Sequence, residues 1–291
     1  MSNRTKGTLY IILSALGFGS YGVWSRLVSP FGALFQGWAR GIIIIVILFP
    51  ILYFSKQIVP IERRDYKWMA IFLTSTSLTV APIFYAYNHM DIGTVSLIFF
   101  TSQLLAMYIV GLLFLKEKLN QVKIVSFIIA LFGLYFTFSF SIANFAMLAL
   151  IMAMLNGVAS GVELSSSKKF TESYSALYLI WLSWVAVAIS NFVLSLVLGE
   201  NQPIPTFYPA WLYLIGYAVF SIVSFWLAVE GLKYVEASIG GLLGLLEIVF
   251  SIAFGVLIFH ESLTPKIIIG TLFILCAAAL PHMSHLKSTK K

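Results

Sequence analysis

The chain has 291 residues, 60% of them hydrophobic and 10% charged, with a mean hydropathy of +0.97. Soluble domains carry about 25% charged residues, so a water-soluble globular protein of this length is excluded. The net charge of +7 would suit a nucleic-acid partner only if the cations formed a patch, and their distribution follows a membrane instead.

Ten apolar stretches follow one another with short connections, at 7–27, 30–54, 66–89, 92–115, 119–139, 143–164, 174–198, 208–233, 236–259 and 264–283. Each holds about 20 residues or more, and a helix of that length crosses the ~30 Å hydrocarbon core of a bilayer. Barrel strands would alternate polar and apolar residues over about ten positions, whereas Gly41 to Leu48 are continuously apolar. The expectation is an all-α membrane protein of ten transmembrane helices. The basic, then apolar opening is like a signal peptide, but its apolar pattern runs on through Val28, so it is expected to stay as the first span. In the third span Pro82 should kink the helix, with Thr74, Ser75, Thr76, Ser77 and Thr79 placed to satisfy freed carbonyls. The sixth span should end near 164, leaving Glu163 close to water. The single cysteine, Cys276, rules out an internal disulfide and is expected to be a small packing residue of the last span.

With the N-terminus inside, fifteen basic residues fall on or near the cytoplasmic side, only Arg26 and Lys266 fall outside, and Arg40 lies within a span. Both termini are therefore expected in the cytoplasm. The cations set topology and meet anionic head groups. No nucleic-acid partner is expected.

The two halves, 1–140 and 141–291, resemble each other. Glu117-Lys118-Leu119 pairs with Glu261-Ser262-Leu263, and fourteen residues before each glutamate stands a mid-helix polar group, Gln103 in one copy and Glu247 in the other. Asp91 pairs with Glu236 across a one-residue gap, and Ser126 and Gly133 pair with Gly270 and Ala277. Five spans per half make the halves inverted repeats, the plan of many secondary transporters, with the binding site near the midplane between them.

These residues resemble the ten-helix EamA-like branch of the drug/metabolite transporter superfamily. The resemblance rests on Leu246-Glu247-Ile248, Phe259-His260-Glu261-Ser262-Leu263, Leu115-Lys116-Glu117-Lys118-Leu119, the second-span Trp38-Ala39-Arg40-Gly41 and the opening Ser14 to Ser20. It covers nearly the whole chain. It implies a small organic solute as substrate, such as an amino acid, related metabolite or drug-like compound, often exported, and a bacterial or archaeal inner membrane. The chain lacks the family's proline after Gln103 and Glu247, which leaves open whether the fourth and ninth helices kink.

Glu247 and Arg40 each lie about ten residues into a span, or about 15 Å deep. A charge at that depth costs roughly 2.5–3.5 kcal/mol and should face a cavity or a partner. Glu247 could exchange protons or bond a helix; Arg40 could grip a carboxylate with two N–H groups or simply neutralise Glu247. Gln103 could line the cavity or tie helices together. Tyr85 and Asn88 share a helix face that could line it too. Trp38, with Trp24, Trp181, Trp184, Trp226 and Tyr21, could stack on a substrate or pack against lipid and core. Glu117 and Glu261 stand at helix ends, where capping and ion pairing suffice. The ninth-span pair Gly240 and Gly244 has the spacing of a helix-packing face.

No His-Glu-x-x-His, no Cys/His set and no mid-span pair of aspartates occurs, so catalytic residues, a metal and a cofactor are not expected. A transporter acting as a monomer or homodimer, with protons as a candidate coupling ion, is the leading expectation. The alternatives are a non-transporting receptor or assembly protein and a lipid scramblase.

Overall fold

The computed structural model describes residues 3–90, 92–138, 146–206 and 208–288, with side chains as far as Pro281. Asp91, Lys290 and Lys291 of the sequence argument lie outside the described residues. Those described form helices without strands. α1 (Asn3–Gly19) and α2 (Tyr21–Leu27) make the first span, α3 (Ala33–Phe54) the second, and α4 (Tyr66–Ser77) with α5 (Ala81–His89) the third. The next five spans are α6 (Ile92–Leu113), α7 (Gln121–Thr137), α8 (Met147–Phe170), α9 (Ala176–Val197) and α10 (Pro209–Leu232). α11 (Ala237–Gly244) and α12 (Leu246–Phe259) make the ninth, and α13 (Pro265–Ser288) the tenth.

Eight of the ten spans are long and apolar enough to cross a membrane on their own. α7 and the apolar part of α13, Pro265–Pro281, are shorter. The 17 residues of α7 reach about 25 Å, the lower end of what spans a bilayer. Apolar side chains turn outward all round: Val46, Phe54, Val197, Leu212 and Leu257 are each more than 60% exposed. Such a surface is stable against lipid and would aggregate in water. Cys276 belongs to this exposed surface rather than to the packing.

Three spans are interrupted. The third breaks at Leu78–Val80, ahead of Pro82 rather than at it, and Pro82 sits in the first turn of α5. There its missing N–H removes no helix bond and its ring meets no preceding carbonyl. The break is stitched by Asn156, whose Nδ2 donates to the Leu78 carbonyl at 3.0 Å, and by the Thr79 hydroxyl, which donates to the Thr76 carbonyl at 2.8 Å. The first span is interrupted at Ser20 and the ninth at Leu245, while the fourth runs unbroken.

The two halves interdigitate. α6 packs on α8 and α1 on α12, α4 and α5 on α8 and α1 on α10, so contacts recur in pairs under exchange of the halves. α3 with α9, α7 with α13, and α6 with α11 are each their own mates and lie on the pseudo-two-fold axis. Small residues make these approaches possible. A Cβ on Gly133 would meet the Gly270 carbonyl oxygen at 3.1 Å, and one on Gly41 would stand 3.0 Å from the Ala188 Cβ. Of the small residues matched in the two halves, Gly133, Gly270 and Ala277 thus line the α7–α13 contact.

Candidate functional site

Between the halves lies a cavity of about 440 Å³, lined by α1, α2, α3, α5, α6, α8, α9, α10 and α12. Its walls run from mid-helix residues, Glu247 and Glu163, toward Ser25, Ile83 and Tyr87 near the ends of α2 and α5. It therefore extends to the face opposite the N-terminus. On the N-terminal face the first, fourth, eighth and ninth spans close over it with Ile11, Met107, Leu232, Ile239 and Leu243.

Arg40 is buried in this wall. Gly41 on α3 lets the α9 backbone come close, which carries Trp184 beside Arg40. The guanidinium lies over three rings, with centroid distances of 4.0 Å to Tyr217, 4.6 Å to Trp184 and 5.5 Å to Tyr21. The rings hold the cation by its face. Its Nε and Nη1 atoms have no hydrogen-bond partner. Among the described residues no ion pair joins it to Glu247 or Glu163, so it does not serve as the permanent counter-ion of Glu247.

Two carboxylates share the cavity with it. Glu247 enters from the first turn of α12, just past the interruption at Leu245, and Gln103 faces the cavity from α6. The other carboxylate is Glu163. Sequence reading put it near water, but α8 runs on to Phe170 and leaves it more than a turn deeper, only 8% exposed. The Thr76 hydroxyl, at the end of α4, donates to it at 2.6 Å. Asn156, two turns earlier on the same face of α8, borders the same break in the third span. The helix length is the signal that the sequence did not supply.

Of the residues singled out beforehand, Arg40, Gln103 and Glu247 meet in the cavity. Tyr85, Asn88 and Trp38 do not. Tyr85 and Asn88 are exposed, and Tyr85 stacks on His89 with centroids 4.1 Å apart. The restart of the helix after Val80 turns Ile83, Phe84 and Tyr87 inward in their place. Trp38 points to the loop end of α9, where its Nε1 donates to Gln202 at 3.1 Å and its ring packs on Phe192. Gly244 has open space where a Cβ would stand, so it makes no helix contact.

Comparison with known proteins gives a consistent picture. The model of the EamA-like transporter family matches twice, over residues 5–139 and 147–281. The chain is 28% identical over 265 residues to the uncharacterized transporter YojE of Bacillus subtilis (strain 168), covering 88% of this chain and 86% of that protein. It is 25% identical over 241 residues to the uncharacterized transporter YoaV of the same organism, covering 79% and 80%. A solved crystal structure shares the fold, with a TM-score of 0.78 at 14% identity over 94% of this chain and 97% of that one.

Proposed function

The chain belongs to the EamA-like transporter family, and on that premise we propose that it carries a small zwitterionic solute, an amino acid or related metabolite, across a bacterial inner membrane by alternating access between its two halves, in the export direction. The family match over 5–139 and 147–281 supports dividing the chain into repeats at 140/141. The charge distribution supports cytoplasmic termini.

One observation carries the choice of solute. Arg40, whose buried Nε and Nη1 have no hydrogen-bond partner, lines a cavity of about 440 Å³ that also holds two carboxylates. That volume suits a small metabolite. Arg40 offers a planar pair of donors to a substrate carboxylate, and a carboxylate opposite receives the ammonium group. A phosphate ester would call for more than one cation at this depth. Two carboxylates against one guanidinium leave one negative charge over, whether the site is empty or holds a zwitterion. Such a charge is costly inside a membrane. In this reading Glu247 receives the substrate ammonium and Glu163, held by the neutral hydroxyls of Thr76 and Ser183, takes up a coupling proton.

The test is a binding series on purified protein: an amino acid, the amine lacking its carboxylate and the acid lacking its amine. Arg40 as carboxylate clamp requires that the amine lose most of the affinity, and that Arg40→Lys reduce affinity for the amino acid without changing that for the amine. Equal binding of amino acid and amine would refute the assignment.

A further inference from the structure

A second cleft, of about 520 Å³, opens at the N-terminal face. Its walls are the start of α1 at Arg4, the turn from α6 into α7 with Lys118 and Asn120, the stretch from Tyr234 into α11, and α13 at Pro281. Val235 and Ile239 line it and also belong to the apolar cluster that closes the central cavity. The cleft therefore lies beyond that closure, apart from the solute site.

Its polar walls are held in place by their own bonds. Lys123, with a side chain only 4% exposed, pairs with Glu236, and its Nζ donates to the Lys118 carbonyl at 2.7 Å. These contacts tie the α6–α7 turn to the start of α11 and neutralise Glu236, the one carboxylate lining the cleft. Arg4 Nη2 donates to the Pro281 carbonyl at 3.2 Å and ties α1 to α13. Neither Arg4 nor Lys118 has an ion-pair partner among the described residues, so their two positive charges are left over. Asn120 accepts the Lys123 N–H through its Oδ1 at 2.9 Å, which leaves its amide N–H groups to donate. Lys6 Nζ stands 5.4 Å from the centroid of the Tyr234 ring and adds to the positive field.

We propose that this cleft, between Arg4 and Lys118, binds the phosphate of an anionic phospholipid in the leaflet on the N-terminal face. A guanidinium and an ammonium supply charge-assisted donors to phosphate oxygens, and basic pockets between spans at a membrane face suit anionic head groups. The volume is that of a small-ligand pocket. The surroundings favour a lipid over a soluble phosphate. Leu119 lines the cleft and is exposed, and Leu9 on α1 and Ile124 and Val125 on α7 are exposed apolar side chains close in sequence to Arg4 and Lys123. Acyl chains would cover such a surface, and a soluble phosphate would leave it bare.

Native mass spectrometry of the full chain, released from micelles with equal amounts of phosphatidylglycerol and phosphatidylcholine, reads which lipid is retained. The parent protein should prefer phosphatidylglycerol. Arg4→Gln combined with Lys118→Gln should cut that preference roughly 25-fold, about fivefold for each charge removed. Arg63→Gln combined with Lys67→Gln removes the same charge from the same face, at residues outside the cleft, and should leave the preference unchanged. Equal losses in the two double variants would reduce the effect to net charge and overturn the site, as would a parent protein that retains both lipids alike. Phosphatidylglycerol should also raise the melting temperature of the parent protein and not that of the cleft variant. If inorganic phosphate or glycerol phosphate gives the same rise without lipid, the cleft takes a soluble phosphate and the lipid assignment fails. Should the cleft variant not fold, Lys118→Gln alone, at an exposed side chain, should cost about fivefold, and an unchanged preference there overturns the proposal.

Discussion

The Arg40 guanidinium lies face-on to the Tyr217 ring, 4.0 Å from its centroid, while two of its nitrogen atoms have no hydrogen-bond partner. Stacking uses the face of the planar ion and leaves two nitrogens of its edge, Nε and Nη1, buried without a partner. A cation held this way is oriented before a ligand arrives, so little side-chain freedom is lost when a carboxylate docks.

Arg40→Lys keeps the charge and loses the fork. Affinity for a carboxylate-bearing solute should fall roughly 10- to 100-fold, in line with the ~1.5–3 kcal/mol of a charged hydrogen bond, with little change in thermal unfolding. Tyr217→Leu, which removes a stacking face, should cost less, about 3- to 5-fold. Equilibrium binding on purified protein measures both.

Glu163→Gln and Glu247→Gln should separate coupling from binding. The first should abolish solute accumulation driven by a pH gradient and spare exchange of labelled for unlabelled solute. The second should weaken zwitterion binding and slow both processes. Paired gradient-driven and exchange assays in liposomes read the difference.

Thr76→Val is close to isosteric but removes the hydroxyl that donates to Glu163 at 2.6 Å. Leaving a buried carboxylate oxygen without its donor should cost about 1–3 kcal/mol. Thr79→Val, which frees only a helix-end carbonyl, should cost less. Chemical denaturation in mixed micelles compares them.

Tyr174, in the turn between α8 and α9, donates to Asp65 at 2.9 Å and accepts from the Glu62 N–H at 3.0 Å, tying two loops of the N-terminal face together. Burial raises its pKa above the usual phenol value. The stabilisation is therefore complete below about pH 10 and is lost as pH rises through the higher folded-state value. Tyr174→Phe should lower stability by about 1 kcal/mol at neutral pH and flatten the fall in melting temperature at alkaline pH.

Topology is checked by labelling single cysteines on a Cys276→Ser background. A cysteine at Asn201 should react with an impermeant reagent added outside intact cells, and one at Lys118 only after the membrane is opened. The reverse pattern would invert the orientation.

The spans and their repeat were legible because a bilayer demands long apolar helices, and that demand leaves little else in the sequence. Gln103 and Glu247 stood out through their equal spacing before Glu117 and Glu261, and Arg40 through its depth. What escaped notice depended on helix ends and helix rotation. Glu163 was misplaced because no proline or glycine marks where α8 stops, and the chain stays helical through Ser165, Ser166 and Ser167 to Phe170. Tyr85 and Asn88 share a helix face, but their spacing does not say which way that face turns after a kink. The break at Leu78–Val80 rotates α5 and brings Tyr87 inward. Trp38 lies two residues from Arg40 and so faces a different side of α3.

Solute flux through the purified protein in liposomes tests the central claim most directly. Vesicles loaded with a mixture of amino acids and related zwitterions should exchange at least one of them with labelled solute outside, saturably, and the exchange should be lost in Arg40→Ala protein that remains folded. Folded wild-type protein that exchanges none of these solutes, or that exchanges one equally well without Arg40, would contradict it.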